Sequence, residues 1–234
     1  MKASTPALIV YIISGLLFLI SVFVDNEYLA LISKPIIIPS VFFYYWQERH
    51  GKINLLSAVV LFFLFISGIL NLFDGENIFF YVIICNLLAY CILLSFVLKS
   101  LFELKFHIPD KINLSYIVLM FLFFSSLLYI SLFLMLDLKF ELYFVIIVYG
   151  ISSVSLGSLS TILYTQQHSQ ANFVLMMTSF TFIMSDLFYV LYYYYFDFTL
   201  FRAISILSYI VSFYVLVNYF LLREQNVSKT NELN

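Results

Sequence analysis

Apolar residues run along this chain in long blocks, and the polar residues between the blocks come in short clusters. Eight blocks are each of about the ~20 residues that a helix needs to cross a hydrocarbon core ~30 Å thick. They cover residues 7–24, 28–46, 53–73, 78–98, 114–136, 142–163, 172–196 and 199–222. A membrane-spanning strand would alternate lipid-facing and polar residues over ~10-residue segments. Stretches 61–66 and 127–136 show no such alternation. The pattern therefore predicts an all-α, polytopic membrane bundle of eight transmembrane helices. It forms one domain over residues 1–222, followed by a short polar tail at 223–234.

Composition excludes the soluble alternatives. The chain is 64% hydrophobic and 10% charged, against roughly 25% charged residues in soluble domains. A net charge of −2 gives no sign of a nucleic-acid partner. The placement of charge is more informative than its sum. Basic residues near span ends mark the cytoplasmic side. Lys2, Arg49, Lys52, Lys99, Lys105, Lys111, Arg223 and Lys229 fall on one side of the eight spans. The other side has Lys139 and, just inside a span, Arg202. Beside them stand Asp25, Glu27, Asp74, Glu76, Asp137, Glu141 and Asp197. Both termini are accordingly expected in the cytoplasm. Val22-Phe23-Val24 is too bulky for a signal-peptidase site, so the first block is expected to stay as a helix. Residues 99–113 are expected to form a basic, amphipathic interfacial connection, and the tail is expected to be disordered.

Cysteine and histidine add little. Cys85 and Cys91 are six apart in one block, too far along a helix to form a disulfide. His50, His107 and His168 fall in connections or at their edges, and are expected to be solvated rather than metal ligands. No cofactor is called for.

Two ionisable side chains interrupt the blocks: Lys34 in the second and Asp186 in the seventh. Each costs roughly 2.5–3.5 kcal/mol near a bilayer centre on insertion scales, and such residues default to function. Asn172, Ser179, Asp186 and Tyr193 recur every seven residues and share a helix face with Tyr189. Gly150, Ser153, Gly157, Ser160 and Tyr164 make a polar or small-residue face on the sixth block, read as close packing ahead of a substrate-lining role. Arg202, Ser205, Tyr209 and Ser212 line the eighth. Tyr192–Tyr195 reads as an aromatic belt at the outer interface. Lys34 is seven residues past Glu27, roughly 10 Å deep, and Asp186 is eleven before Asp197, roughly 16 Å deep from the same side. A lysine side chain spans that difference. Pro35 frees a backbone carbonyl one turn earlier. With Asn71, Asn86 and Arg202 in the same outer half, these residues predict a polar cavity rather than a bare ion pair.

Several short motifs resemble the YhhN family of integral membrane proteins, which includes the lysoplasmalogenases. Lys34-Pro35 matches a Lys-Pro pair in an early helix of that family, and Ser185-Asp186 a Ser-Asp pair in its penultimate helix. Ser208-Tyr209-Ile210 stands where the family has a Thr-Tyr-Tyr-like step. The likeness runs from the second block to the eighth. There are departures. Gly68-Ile69 stands for Gly-Asp, Ala89-Tyr90 for Ala-His, and Phe213 for a glutamine. One of the family's two active-site carboxylates is thus missing, and Asp74 lies on a different face.

The resemblance implies a bacterial cytoplasmic membrane and a lysophospholipid-like membrane lipid as partner. It also implies hydrolysis of an alkenyl lysophospholipid's vinyl ether to a fatty aldehyde and a glycerophospho-base. Asp186 would be the catalytic acid, with Lys34 or Arg202 on the phosphate. Asn71, Asn86, Tyr90, Ser185, Tyr189, Tyr193 and Tyr209 complete the expected cavity. The competing expectation is a non-catalytic lipid-binding or structural protein that kept the cavity and lost the chemistry. A transporter is a weaker third reading, because no internal repeat is visible in the sequence.

Overall fold

A computed structural model describes residues 4–49, 53–73, 75–104, 110–135 and 140–232, and these are helical throughout apart from short turns. The first four helices are α1 (Thr5–Val24), α2 (Glu27–Glu48), α3 (Leu55–Leu70) and α4 (Glu76–Glu103). The second four are α5 (Lys111–Leu134), α6 (Phe140–Gln166), α7 (Gln170–Val190) and α8 (Thr199–Glu232). A single π-helical turn, Leu191–Tyr195, continues α7. Among the described residues, seven helices are long and apolar enough to cross a membrane. The remaining one, α3, has 16 residues, about 24 Å at 1.5 Å per residue. The fold is that of a multi-pass helical bundle.

Local chemistry sets the helix ends. Side-chain oxygens of Asn26, Asn54 and Ser169 accept from the backbone N–H groups of Leu29 (3.1 Å), Leu56 (3.0 Å) and Asn172 (3.1 Å). Each satisfies a donor that the first turn leaves open. Asp25 closes α1 in the left-handed region at φ 50°, and Gly75 precedes α4 at φ 140°, a conformation suited to glycine.

Three expectations about boundaries change. The third block is shorter than residues 53–73 suggest, because Asn54 caps α3 and Asn71 ends it. Lys99 to Glu103 continue α4, so only the residues from Leu104 onward connect it to α5. The polar tail, expected to be irregular, continues α8 as far as Glu232. Its first turn is anchored: Tyr45 donates to Glu224, and the Arg223 guanidinium stands 3.9 Å over the Phe96 ring. Lys2, His50, Lys52, Asp74, Lys105, His107, Asp137 and Lys139, which entered the charge and histidine arguments, lie outside the described residues.

The helices pack as a ring. In order around it, α2 touches α3, α3 touches α4, α4 touches α6, α6 touches α7, α7 touches α8, and α8 returns to α2. The first helix of each half sits on the outside: α1 covers the α2–α8 joint and α5 packs on α6 and α7. No sequence repeat announces this equivalence. At the end of the ring that carries Arg49 the interior is full, with Val41, Tyr45, Val60, Leu93, Val97 and Leu216 all fully buried. At the opposite end, which carries Asn26, the ring encloses a cavity.

Candidate functional site

The cavity has a volume of about 370 Å³, within the 300–1,000 Å³ usual for small-molecule sites. All ten residues expected there lie on its wall: Lys34, Asn71, Asn86, Tyr90, Ser185, Asp186, Tyr189, Tyr193, Arg202 and Tyr209. Their roles in the wall differ.

Asp186 is held from two helices. The Tyr149 hydroxyl on α6 donates to its Oδ2 at 2.5 Å, and Tyr90 on α4 donates to the same oxygen at 3.3 Å. The two phenol rings stack with centroids 5.2 Å apart. Both donors converge on Oδ2, and Asp186 is on the cavity wall. The backbone under Asp186 is equally constrained. Ser185 Oγ donates to the Ser205 carbonyl (3.0 Å), and Ser205 Oγ donates to the Ser185 carbonyl (2.8 Å). This reciprocal clasp ties α7 to α8 beside the carboxylate. The Ser185 hydroxyl is therefore already engaged by the neighbouring helix.

Lys34 does not meet Asp186. Its Nζ donates to the Asn71 carbonyl at 3.4 Å and lies 5.4 Å from the Phe18 ring centroid. No ion pair joins the two charged groups, because the tyrosines occupy the carboxylate and the α3 terminus occupies the lysine. Asn71, at the C-cap of α3, has an open carbonyl that a cation satisfies. Its side-chain oxygen accepts from Tyr189 at 3.4 Å. One asparagine thus joins α2, α3 and α7. Pro35 removes the helical donor for the Leu31 carbonyl, and Leu31 is on the cavity wall.

Arg202, at the start of α8, lies 5.5 Å over the Tyr192 ring centroid in the π-helical turn. Tyr193 packs on Tyr189 with centroids 4.4 Å apart, and is half exposed. Lys34 and Arg202 both lie on the wall of the cavity that Asp186 lines. Asp25 and Glu27 are further out, at the α1–α2 connection. Tyr209 has a buried hydroxyl with no hydrogen-bond partner among the described residues. It stands over Gly68, where a Cβ would come within 2.7 Å of the phenol oxygen. The glycine is needed for that close approach.

Sequence reasoning missed Tyr149, the tighter of the two donors to Asp186. Helix depth is the signal that could have found it. Nine residues beyond Phe140 is about 14 Å, close to the depth of Asp186. The small-residue face of α6 has a mixed role. Gly157 packs against Phe124, whereas Gly150 and Ser153 also line the cavity. Ile69 is not on the cavity wall, although Gly68 is. No group of three or more potential metal ligands occurs among the described residues. No protein-family model, curated protein or solved structure matches this chain.

Proposed function

We propose that this protein is a membrane lipid hydrolase of the YhhN type, cleaving the vinyl ether of alkenyl lysophospholipids. The reading includes eight membrane-crossing helices with α3 as the short one, both termini in the cytoplasm, and residence in a bacterial cytoplasmic membrane. The observation that carries it is the Asp186 carboxyl, with Oδ2 caged by Tyr149 and Tyr90, on the wall of a cavity that also holds Lys34 and Arg202.

The chemistry assigns each group a task. The protonated Asp186 carboxyl delivers its proton to the alkene carbon distal to the ether oxygen, generating an oxocarbenium ion. Water adds to that ion, and the carboxylate takes the water's proton, restoring the acid. The hemiacetal then collapses to the fatty aldehyde and the glycerophospho-base, with one water consumed. The two tyrosine hydroxyls stabilise the carboxylate during the interval in which it is charged. Asn86, on the same wall, is available to orient the water. Lys34 and Arg202 are suited to the lipid phosphate.

Purified protein should release aldehyde from an alkenyl lysophospholipid, and Asp186→Asn should not. An equal rate in the mutant, or no aldehyde from the wild type, removes the hydrolase. One observation favours a second reading. The only carboxylates on the described cavity wall besides Asp186 are Asp25 and Glu27 at the mouth. Paired-carboxylate hydrolases place a second group close to the first. A lapsed enzyme that binds lysolipid without turnover fits that arrangement. It predicts a co-purifying lysolipid, and binding weakened by Lys34→Ala.

A further inference from the structure

The cavity extends beyond its polar residues. On one side the wall is completed by Phe124, Leu127 and Leu128 of α5, which pack with Val154 of α6 and Ile183 of α7, and by Leu187 of α7. Along α5 the cavity wall runs from Met135 to Phe124, eleven residues or about 16 Å of helix. That is about half of a ~30 Å hydrocarbon core, the depth reached by the chains of one leaflet. Ser131 turns its hydroxyl back to the Leu127 carbonyl at 3.0 Å, so it offers no donor to a ligand there.

The helix that forms this side is the most loosely held in the bundle. Phe124 is the one buried side chain of α5, while Leu119 and Leu122 on its outer surface are 64% and 61% exposed. Two side chains of α5 fit against glycines of α6. A Cβ on Gly150 would lie 2.2 Å from Leu128, and one on Gly157 would lie 2.7 Å from Phe124. A contact built from small residues gives close approach without a large buried area.

We propose that the α5–α6–α7 side of the cavity is the binding site for one hydrocarbon chain of an amphiphile whose anionic head lies at Lys34 and Arg202. The site rests on the cavity being a lipid site, as in the reading above, but not on catalysis. Three features select the occupant. The two cations share a cavity with the apolar wall, so a ligand filling it carries both characters. The outer face of α5 is itself apolar and exposed, which puts the supply of ligand in the bilayer. The volume of about 370 Å³ is near the lower limit for ligand sites, which favours one chain over two.

The test uses the full chain in phosphatidylcholine bilayers, with a single-chain lysophosphatidylcholine bearing a diazirine near its chain terminus. After photolysis, peptide mass spectrometry should find label on the inner side, at Leu127, Leu128, Val154 or Ile183. Excess unlabelled lysolipid should reduce this at least fivefold. Ile183→Trp, which fills the apolar side, should do the same. Labelling of Leu119 and Leu122, which any bilayer lipid touches, should stay unchanged in both cases and shows that the variant is folded and inserted. Val154→Trp serves the same purpose if Ile183→Trp does not accumulate. Label confined to the outer positions, or inner label that neither competitor nor tryptophan reduces, overturns the site. Aldehyde release without inner label sinks this inference and spares the hydrolase. Inner label without aldehyde does the reverse.

Discussion

The two ends of the helical ring differ in what their polar side chains meet. Toward the end that carries Arg49, apart from bonds such as Tyr45 to Glu224 and Ser160 to Ser179, small hydroxyls turn back onto their own helices. Ser40 donates to the Ile36 carbonyl (2.7 Å), Thr161 to Gly157 (2.8 Å), Thr178 to Val174 (2.8 Å) and Ser179 to Leu175 (3.0 Å). Each satisfies itself locally and leaves the packing apolar. Toward the end that carries Asn26, polar groups reach across to other helices. Tyr149 and Tyr90 meet Asp186, Lys34 meets Asn71, and Ser185 and Ser205 exchange bonds. In a bilayer an unsatisfied polar group costs several kcal/mol, so both solutions are stable. Only the second builds a site. What separates them is that the bonds at the cavity end hold Asp186 and Lys34 on the wall of an open space.

The largest effects should separate the two ends most cleanly. Asp186→Asn should lower aldehyde release by about 10³-fold, the middle of the range for a general acid. Its melting temperature in detergent should move by only a few degrees. Tyr149→Phe should cost about tenfold by the same measurement, since one of two donors remains. Leu216→Ala, at the packed end, should do the opposite. Its side chain is fully buried, and such truncations cost about 2–5 kcal/mol. Thermal unfolding should register that loss, while the rate per folded molecule below the transition stays within about twofold. If Leu216→Ala removed activity from protein that is still folded, the contrast between the ends would fail.

These tests bear on what the sequence could disclose. The blocks marked every helix, because apolar length depends on composition alone. The boundaries moved where single side chains act: Asn54 and Asn71 shorten α3, and Tyr45 with Phe96 hold the first turn after residue 222. Asp186 and Lys34 were legible as rare charges in apolar surroundings, and both lie on the cavity wall. Their relation was not. Depth along a helix can be counted from a sequence, but azimuth between helices cannot, and azimuth gives Asp186 its tyrosines instead of the lysine. Tyr149 escaped for a related reason. Among 19 tyrosines, one that grips a carboxylate looks like any other. Ser179 and Ser185 likewise share a helix and a residue type, yet only Ser185 donates to the backbone of a neighbouring helix.

Intermediate effects belong to the cations. Lys34→Ala and Arg202→Ala should each weaken lysolipid binding by about five- to tenfold, as expected for one charge-assisted contact of roughly 1–1.5 kcal/mol. Binding of an uncharged single-chain alcohol, measured by calorimetry, should not change. Equal losses for the two ligands would mean that the side chains act on the fold rather than on the phosphate. Lys34 is the stricter case, because its removal also leaves the α3 terminus without its cation.

The smallest effect on stability should come from the Ser185–Ser205 clasp, and it is the most informative about position. Polar contacts between membrane helices average about 0.6 kcal/mol and reach about 1.7. Ser185→Ala and Ser205→Ala should therefore each lower stability by less than about 1 kcal/mol. The two bonds use different donors and different carbonyls, so the losses should add in the double mutant unless α7 shifts against α8. Such a shift would move Asp186, the next residue, away from Tyr149 and Tyr90. The readout is then kinetic: kcat falling severalfold with KM unchanged marks a positioning role. A clasp that only fastened two helices would lower stability by the same amount and leave kcat alone, and the site would owe its geometry to the tyrosines by themselves.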